Sequence, residues 1–135
     1  MKLEPYVFFH GTCEEALTFY GKCFGGEIAG LSRFAEMPPE HQVDAAWNSK
    51  IMHARFVAGD VAFMASDGRP GTPPHGEDEI ALSVATASNA EGQRIFTALA
   101  EGGTVDMPFG PAFWGGSFGQ LVDRFGIQWM VTSPS

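Results

Sequence analysis

The sequence is short of charge, and of positive charge above all. Charged residues make up 18% of its 135, where globular domains average about 25%. Only 8 are Lys or Arg, against 16 Asp or Glu. With a formal charge of −8 and no basic cluster, its surface repels phosphate backbones and anionic bilayers, so neither nucleic acid nor membrane is expected as a partner. No apolar run approaches the roughly 18 residues of a membrane span. The start Met1-Lys2-Leu3-Glu4-Pro5 lacks the apolar stretch of a signal peptide, and a soluble, cytoplasmic protein is expected. Cysteine is scarce too: Cys13 and Cys23, on one helix, would stand roughly 15 Å apart. They cannot bridge each other, and reduced thiols suit the cytoplasm.

Apolar residues, by contrast, are 44% of the chain, enough for a buried core, and the length is that of about one average domain. Seventeen glycines and nine prolines are about one residue in five, against roughly one in eight on average, which favours tight turns and short strands over long helices. Pro5 to Phe9 is an apolar run that reads as a strand. Thr12 and Glu15 have capping-box spacing ahead of a helix with an apolar stripe of Cys13, Ala16, Tyr20 and Cys23. Gly25-Gly26 supplies a left-handed stop. Glu27 to Arg33 reads as a strand, and Phe34 to Lys50, which has Pro38-Pro39 and no clear period, as a long loop of the kind that often covers a site.

Ile51 to Val57 and Val61 to Ser66 form a hairpin turning at Gly59-Asp60. That turn sets Val57 against Ala62, Arg55 against Met64 and His53 against Ser66 on one face, with Phe56/Phe63 and Ala54/Ala65 on the other. After a linker over Asp67 to Asp78 the order repeats. A strand over Glu79 to Val84 is followed by a helix from Ser88-Asn89-Ala90-Glu91 to Ala100, a stop at Gly102-Gly103 and a strand from Thr104. At one constant offset between the halves, Glu14 meets Glu91, Phe19 meets Phe96, Gly25-Gly26 meet Gly102-Gly103 and Ile28 meets Val105. A second hairpin, Phe118 to Val122 with Ile127 to Thr132, turns at Asp123-Arg124-Phe125-Gly126. Each half is thus βαβββ, one helix on one face of a small mixed sheet and the other face free to curve around a cavity.

Gly11-Thr12-Cys13-Glu14-Glu15-Ala16-Leu17, Phe19-Tyr20, Phe24-Gly25-Gly26-Glu27-Ile28, His53-Ala54, Met64-Ala65-Ser66-Asp67 and, most specific, Trp114-Gly115, Phe118-Gly119 and Asp123-Arg124-Phe125-Gly126-Ile127-Gln128-Trp129-Met130 carry a family resemblance. The chain resembles the PhnB-like branch of the vicinal oxygen chelate superfamily, related to glyoxalase and bleomycin-resistance proteins. That resemblance implies an α+β fold of two tandem βαβββ modules, about 1–67 and about 78–135, forming one cupped mixed sheet in a single domain. It also implies a homodimer, since superfamily members complete their cavities by pairing modules.

The superfamily's metalloenzymes carry ligands on inward positions of the first and fourth strand of each half, and the resemblance places these on Pro5, Met64, Glu79 and Met130. Only Glu79 suits a hard divalent ion, so the metal centre is expected to be dismantled and no cofactor is implied. Some names in this branch mention a ubiquinone methyltransferase. The first strand-to-helix turn has a single glycine, Gly11, and no glycine-rich loop for an adenosyl cofactor.

A chamber face is expected from His53, Arg55, Met64 and Ser66, with Glu79, Ala81, Ser83, Gln128 and Met130 opposite. Arg55 would hold an anionic group, His53 exchange a proton and Glu79 serve as base. Alternatively Arg55 and Glu79 neutralise each other and His53 bonds Ser66. Trp114, between Phe113 and Gly115-Gly116, either closes over a ligand or fills a gap between halves or subunits. Trp129 and Cys13 read as core, Asp67 and Asp123 as caps of their own turns, and His41 and His75 as exposed loop residues. The expected function is metal-free binding of a small molecule. The alternative is an isomerase or lyase on a small oxygenated or anionic metabolite, using Glu79 and His53.

Overall fold

A computed structural model of the chain describes residues 4–68, 70, 80–112 and 115–134. It divides into two compact units, residues 1–74 and 75–135, each with its own four-stranded mixed sheet and one long helix. In the first unit β1 (Tyr6–Phe8), α1 (Cys13–Phe24), β2 (Glu27–Arg33), β3 (Ile51–Ala58) and β4 (Val61–Ser66) follow in sequence. The sheet order is β1-β4-β3-β2, with β1 parallel to β4 and the other pairs antiparallel. In the second, β5 (Leu82–Ala85), α2 (Asn89–Ala100), β6 (Thr104–Pro111), β7 (Ser117–Val122) and β8 (Gln128–Ser133) repeat that arrangement as β5-β8-β7-β6. The fold is α+β, built of two βαβββ modules.

The first hairpin adopts the expected register, Val57 opposite Ala62, Arg55 opposite Met64, Phe56 opposite Phe63 and Ala54 opposite Ala65. Gly59 meets the turn's demand for positive φ at 60°. Helix α1 buries Cys13, Ala16, Leu17, Phe19, Tyr20 and Cys23 against the apolar face that register creates. Tyr20 sits among Phe9, Phe19, Phe24, Phe56 and Phe63 with ring centroids 5.8 to 6.4 Å away. Each such ring contributes about 1.5–3 kcal/mol through burial. In the second unit Ile95, Phe96 and Leu99 of α2 share a core with Leu121, Trp129 and Val131.

Both helices stop at the glycine pairs. Gly25 (φ 75°) and Gly102 (φ 76°) are left-handed. A Cβ on Gly26 would lie 2.4 Å from the Val57 carbonyl oxygen, and one on Gly103 would lie 2.3 Å from that of Val122. The helix starts differ. Ser88 caps α2 by accepting from the Glu91 amide at 3.2 Å, whereas the expected Thr12 cap of α1 is absent. Thr12 lies at φ −114°, ψ 15°, outside the extended conformation that aims a cap at the helix amides, and its hydroxyl donates back to the Phe9 carbonyl.

Asp67, at the end of β4, caps α1 instead. Its Oδ1 accepts from the Gly11 and Cys13 amides at 2.7 and 2.8 Å, and its Oδ2 accepts from the Ile51 amide at 2.8 Å. The expectation that Asp67 caps its own turn is therefore corrected: one carboxylate fastens β4, the start of β3 and the N-terminus of α1. Asp123 does serve its own turn, accepting from the Phe125 and Ile127 amides, and also takes the Trp129 indole N–H at 2.8 Å.

Residues 34–50 are more ordered than the loop expected of them. Three short 3-10 helices, Phe34–Glu36, Pro39–His41 and Ala45–Trp47, occupy the span. Phe34 is buried, the Trp47 indole donates to the Gly68 carbonyl at 2.9 Å and Lys50 Nζ to the Gly11 carbonyl at 2.9 Å. The lack of periodicity reflects local turns pinned by side chains. Strand β5 begins at Leu82, later than expected, and Glu79, His75, Phe113 and Trp114 lie outside the described residues.

Candidate functional site

Strand alternation puts Val7 and Phe9 toward α1 and leaves Tyr6 and Phe8 on the opposite face of the first sheet, where they are 42% and 47% exposed. Register extends that face across the sheet. Tyr6 pairs with Met64, Met64 with Arg55 and Arg55 with Gly30, forming one row, and Phe8 pairs with Ser66 and His53 with Ser32 in the next. A Cβ placed on Gly30 would meet nothing within 4 Å, so the row opens onto free space beside Arg55.

The polar groups on this face are partnered within it. The Tyr6 hydroxyl lies 3.1 Å from His53 Nδ1, and the Tyr6 ring stacks on Phe8 with centroids 5.0 Å apart and planes 20° apart. Burial pushes the Tyr6 phenol above its usual range, with the Cys13 charge adding and the Ser66 hydroxyl opposing. Arg55 forms an ion pair with Glu4 (Nη2 to Oε2 2.8 Å), and hydrogen bonding to that carboxylate raises the guanidinium further above neutrality.

The structure thus brings together His53, Arg55 and Met64 of the expected residues, and gives the first two partners that the sequence pattern does not indicate. His53 bonds Tyr6 and not Ser66, and Arg55 pairs with Glu4. Ser66 is only 3% exposed; its hydroxyl donates to the Ile51 carbonyl and accepts from the Gly68 amide, which fixes a strand end. Sequence reasoning missed Glu4, Tyr6 and Phe8. Their period-two spacing was the available signal, masked because Val7 and Phe9 make the run look uniformly apolar. On the second sheet Ser83 pairs with Met130 and Met130 with Gln120, while Gln128 pairs with Val122, so Ser83, Gln128 and Met130 share that sheet's open face. Glu79 and Trp114 lie outside the described residues.

The register also corrects the position carried over for a first-strand metal ligand. Pro5 precedes β1, and the residue facing the same side as Met64 is Tyr6. On the second sheet the residue opposite Met130 is Ser83, and Glu79, the fifth-strand position the resemblance gives, lies outside the described residues. The thioethers of Met64 and Met130 do not suit a hard divalent ion. Among the described residues no three His, Cys, Asp or Glu side chains group to hold a metal. Cys13 is buried, and burial first, then the Asp67 and Glu14 charges, push its thiol up to about 12, which disfavours the nucleophilic thiolate.

Comparison with known proteins matches residues 1–132 to the family model described as 3-demethylubiquinone-9 3-methyltransferase. The chain belongs to that family. It is similar to Protein YjdN of Escherichia coli (strain K12), 32% identical over 141 residues, with 97% of this chain and 94% of that protein covered. Among solved structures it is similar to protein PA1353 from Pseudomonas aeruginosa, 44% identical, TM-score 0.87, covering 98% of this chain and 97% of that one. A Bacillus cereus PhnB protein, described as a putative 3-demethylubiquinone-9 3-methyltransferase, is 28% identical with a TM-score of 0.82, covering 98% of this chain and 99% of that one. The glyoxylase/bleomycin resistance protein/dioxygenase domain from Frankia sp. EAN1pec, 12% identical with a TM-score of 0.70 and covering 100% of this chain and 98% of that one, shares the fold. No described helix is long and apolar enough to cross a membrane.

Proposed function

We propose that the chain is a small-molecule-binding protein of the glyoxalase/bleomycin-resistance type that works without the metal centre usual in that fold. The observation that carries this reading is the open face of the first sheet. Two large exposed rings, Tyr6 and Phe8, stand beside an imidazole, a methionine and a guanidinium already held by Glu4. Apolar surface with a few fixed polar groups is the make-up of an organic-ligand site, and exposed adjacent rings are more informative than a lone exposed apolar residue. The methyltransferase named in the family description finds no cofactor cradle at the first strand-to-helix turn, where the Gly11 and Cys13 amides are already bonded to Asp67.

A homodimer belongs to the same reading. Edge strand β6 leaves Val105 and Met107 45% and 49% exposed, and a second copy is a partner able to cover such an edge. Thermal denaturation tests the proposal. Zinc, nickel and manganese should leave the melting temperature unchanged, while a member of a mixed panel of organic acids, carbonyl compounds and aromatic metabolites should raise it, since a ligand at 100 times its Kd stabilises by about 2.7 kcal/mol. One tightly held metal per chain that raises the melting temperature overturns the metal-free reading. A panel without effect removes support for ligand binding.

A further inference from the structure

We infer that the face around Tyr6 takes a flat aromatic ring bearing a hydrogen-bond-accepting oxygen, the ring extending the Tyr6–Phe8 stack and the oxygen accepting from His53 Nε2–H. This rests on the small-molecule reading above and narrows it to a ligand class. The stack is already formed, with centroids 5.0 Å apart and planes 20° apart, so a third ring gains an aromatic contact without first ordering the other two. Both rings keep over two fifths of their surface in water, so an outer ring surface remains for a ligand to cover.

The Tyr6–His53 contact supplies the polar half of the site. The Tyr6 hydroxyl stands 3.1 Å from His53 Nδ1; the hydroxyl as donor and Nδ1 as acceptor is the pairing that goes with the Nε2–H tautomer. In that tautomer His53 carries its hydrogen on Nε2 and can donate it to a ligand oxygen. Arg55 is held by Glu4 at 2.8 Å, so the face offers the imidazole N–H in place of a free cation. That suits a carbonyl or single carboxylate better than a phosphate. Met64, in the same row, adds a polarizable wall that tolerates ring substituents.

Benzoate and cyclohexanecarboxylate, equal in charge and similar in size, differ in flatness and π character and are the probes. Titration followed by NMR should show benzoate binding about fivefold to tenfold more tightly, as one stacking contact supports, and benzoate should move the His53 Nε2 resonance. Long-range 1H–15N spectra of the free protein should show His53 as the Nε2–H tautomer, and Tyr6→Phe should abolish that preference. Phe8→Leu, at an exposed position that does not threaten folding, should erase the selectivity for benzoate. Equal affinity for the two acids, an Nδ1–H tautomer, or selectivity that survives Phe8→Leu overturns the inference. If an aliphatic metabolite binds this face and benzoate does not, the ligand class is wrong while the small-molecule reading stands; if nothing binds, both fall.

Discussion

Replacing Asp67 tests whether one buried carboxylate organises the first module. The side chain is 1% exposed and accepts three backbone amides at 2.7 to 2.8 Å. Hydrogen bonds to a charged group net about 1.5–3 kcal/mol, and each donor orphaned by truncation costs about 1–3 kcal/mol. The three bonds share one side chain and do not add in full, so Asp67→Ala should cost about 4 kcal/mol of a total of about 5–15 kcal/mol. Asp67→Asn keeps one oxygen for Gly11 and Cys13 but turns its amide group toward the Ile51 N–H, donor against donor, and should cost about half as much. With a urea m-value of about 2 kcal/mol/M, the Ala variant should lower the unfolding midpoint by about 2 M and the Asn variant by about 1 M. Hydrogen exchange at the Cys13 and Ile51 amides should quicken in both. A shift under about 0.5 M for Asp67→Ala would refute the reasoning, because α1 would then hold its first turn without the carboxylate.

Two further outcomes follow from burial and from close backbone approach. Because the Cys13 thiol is raised from 9.0 to about 12, the folded state favours the protonated form; that contribution is complete below pH 9 and fades as pH climbs toward 12. Cys13→Ala should flatten the alkaline limb of a stability–pH curve relative to the parent, and thiol reagents at pH 8 should label neither buried cysteine faster than the chain unfolds. Gly26→Ala and Gly103→Ala would each force a Cβ to within 2.5 Å of a carbonyl oxygen and should lower the melting temperature by several degrees, whereas Gly30→Ala and Gly110→Ala, where nothing stands within 4 Å, should leave it nearly unchanged. Calorimetry of the four variants checks the contrast.

Elements whose signals are local were legible in the sequence. The hairpin register followed from one Gly-Asp turn, both helix stops from glycine pairs and the repeat from matching spacings, because those residues act on their own backbone. Long-range groups were not. Thr12 has the right spacing for a cap, yet the carboxylate of Asp67, at the far end of the module, outcompetes it, since an ionised acceptor binds amides more strongly than a hydroxyl. The partners of His53 and Arg55 come from Tyr6 and Glu4, on or just before an edge strand whose parallel pairing with β4 leaves no sequence signature. The constant offset between the halves also misleads past β2. Met64 and Met130 are equivalent by register, each opposite the matching residue of its first strand. They stand closer in sequence than Glu14 and Glu91 do, because residues 34–50 make the first connection longer than its counterpart in the second module.

Comparing equivalent positions separates what the repeat needs for folding from what each module needs on its open face. Gly25 and Gly26 are repeated as Gly102 and Gly103, where left-handed φ or a close carbonyl forbids other residues. On the open faces the same offset sets Tyr6 against Ser83 and Phe8 against Ala85. Backbone demands are met alike in both halves, while aromatic surface appears on the first-strand positions of one half only. If those rings served folding they would be expected on both sheets, since both have the same strand order. They are instead exposed on the first sheet, and the first strand of the second sheet stands without them. Replacing Tyr6 and Phe8 together by Ser and Ala, the residues the second module carries, should therefore cost about 2 kcal/mol, the share of two half-exposed rings, well below the loss of two core rings, while abolishing the preference for flat aromatic ligands. A large loss of stability in that double variant would return the rings to the core and leave the first sheet without a ligand face.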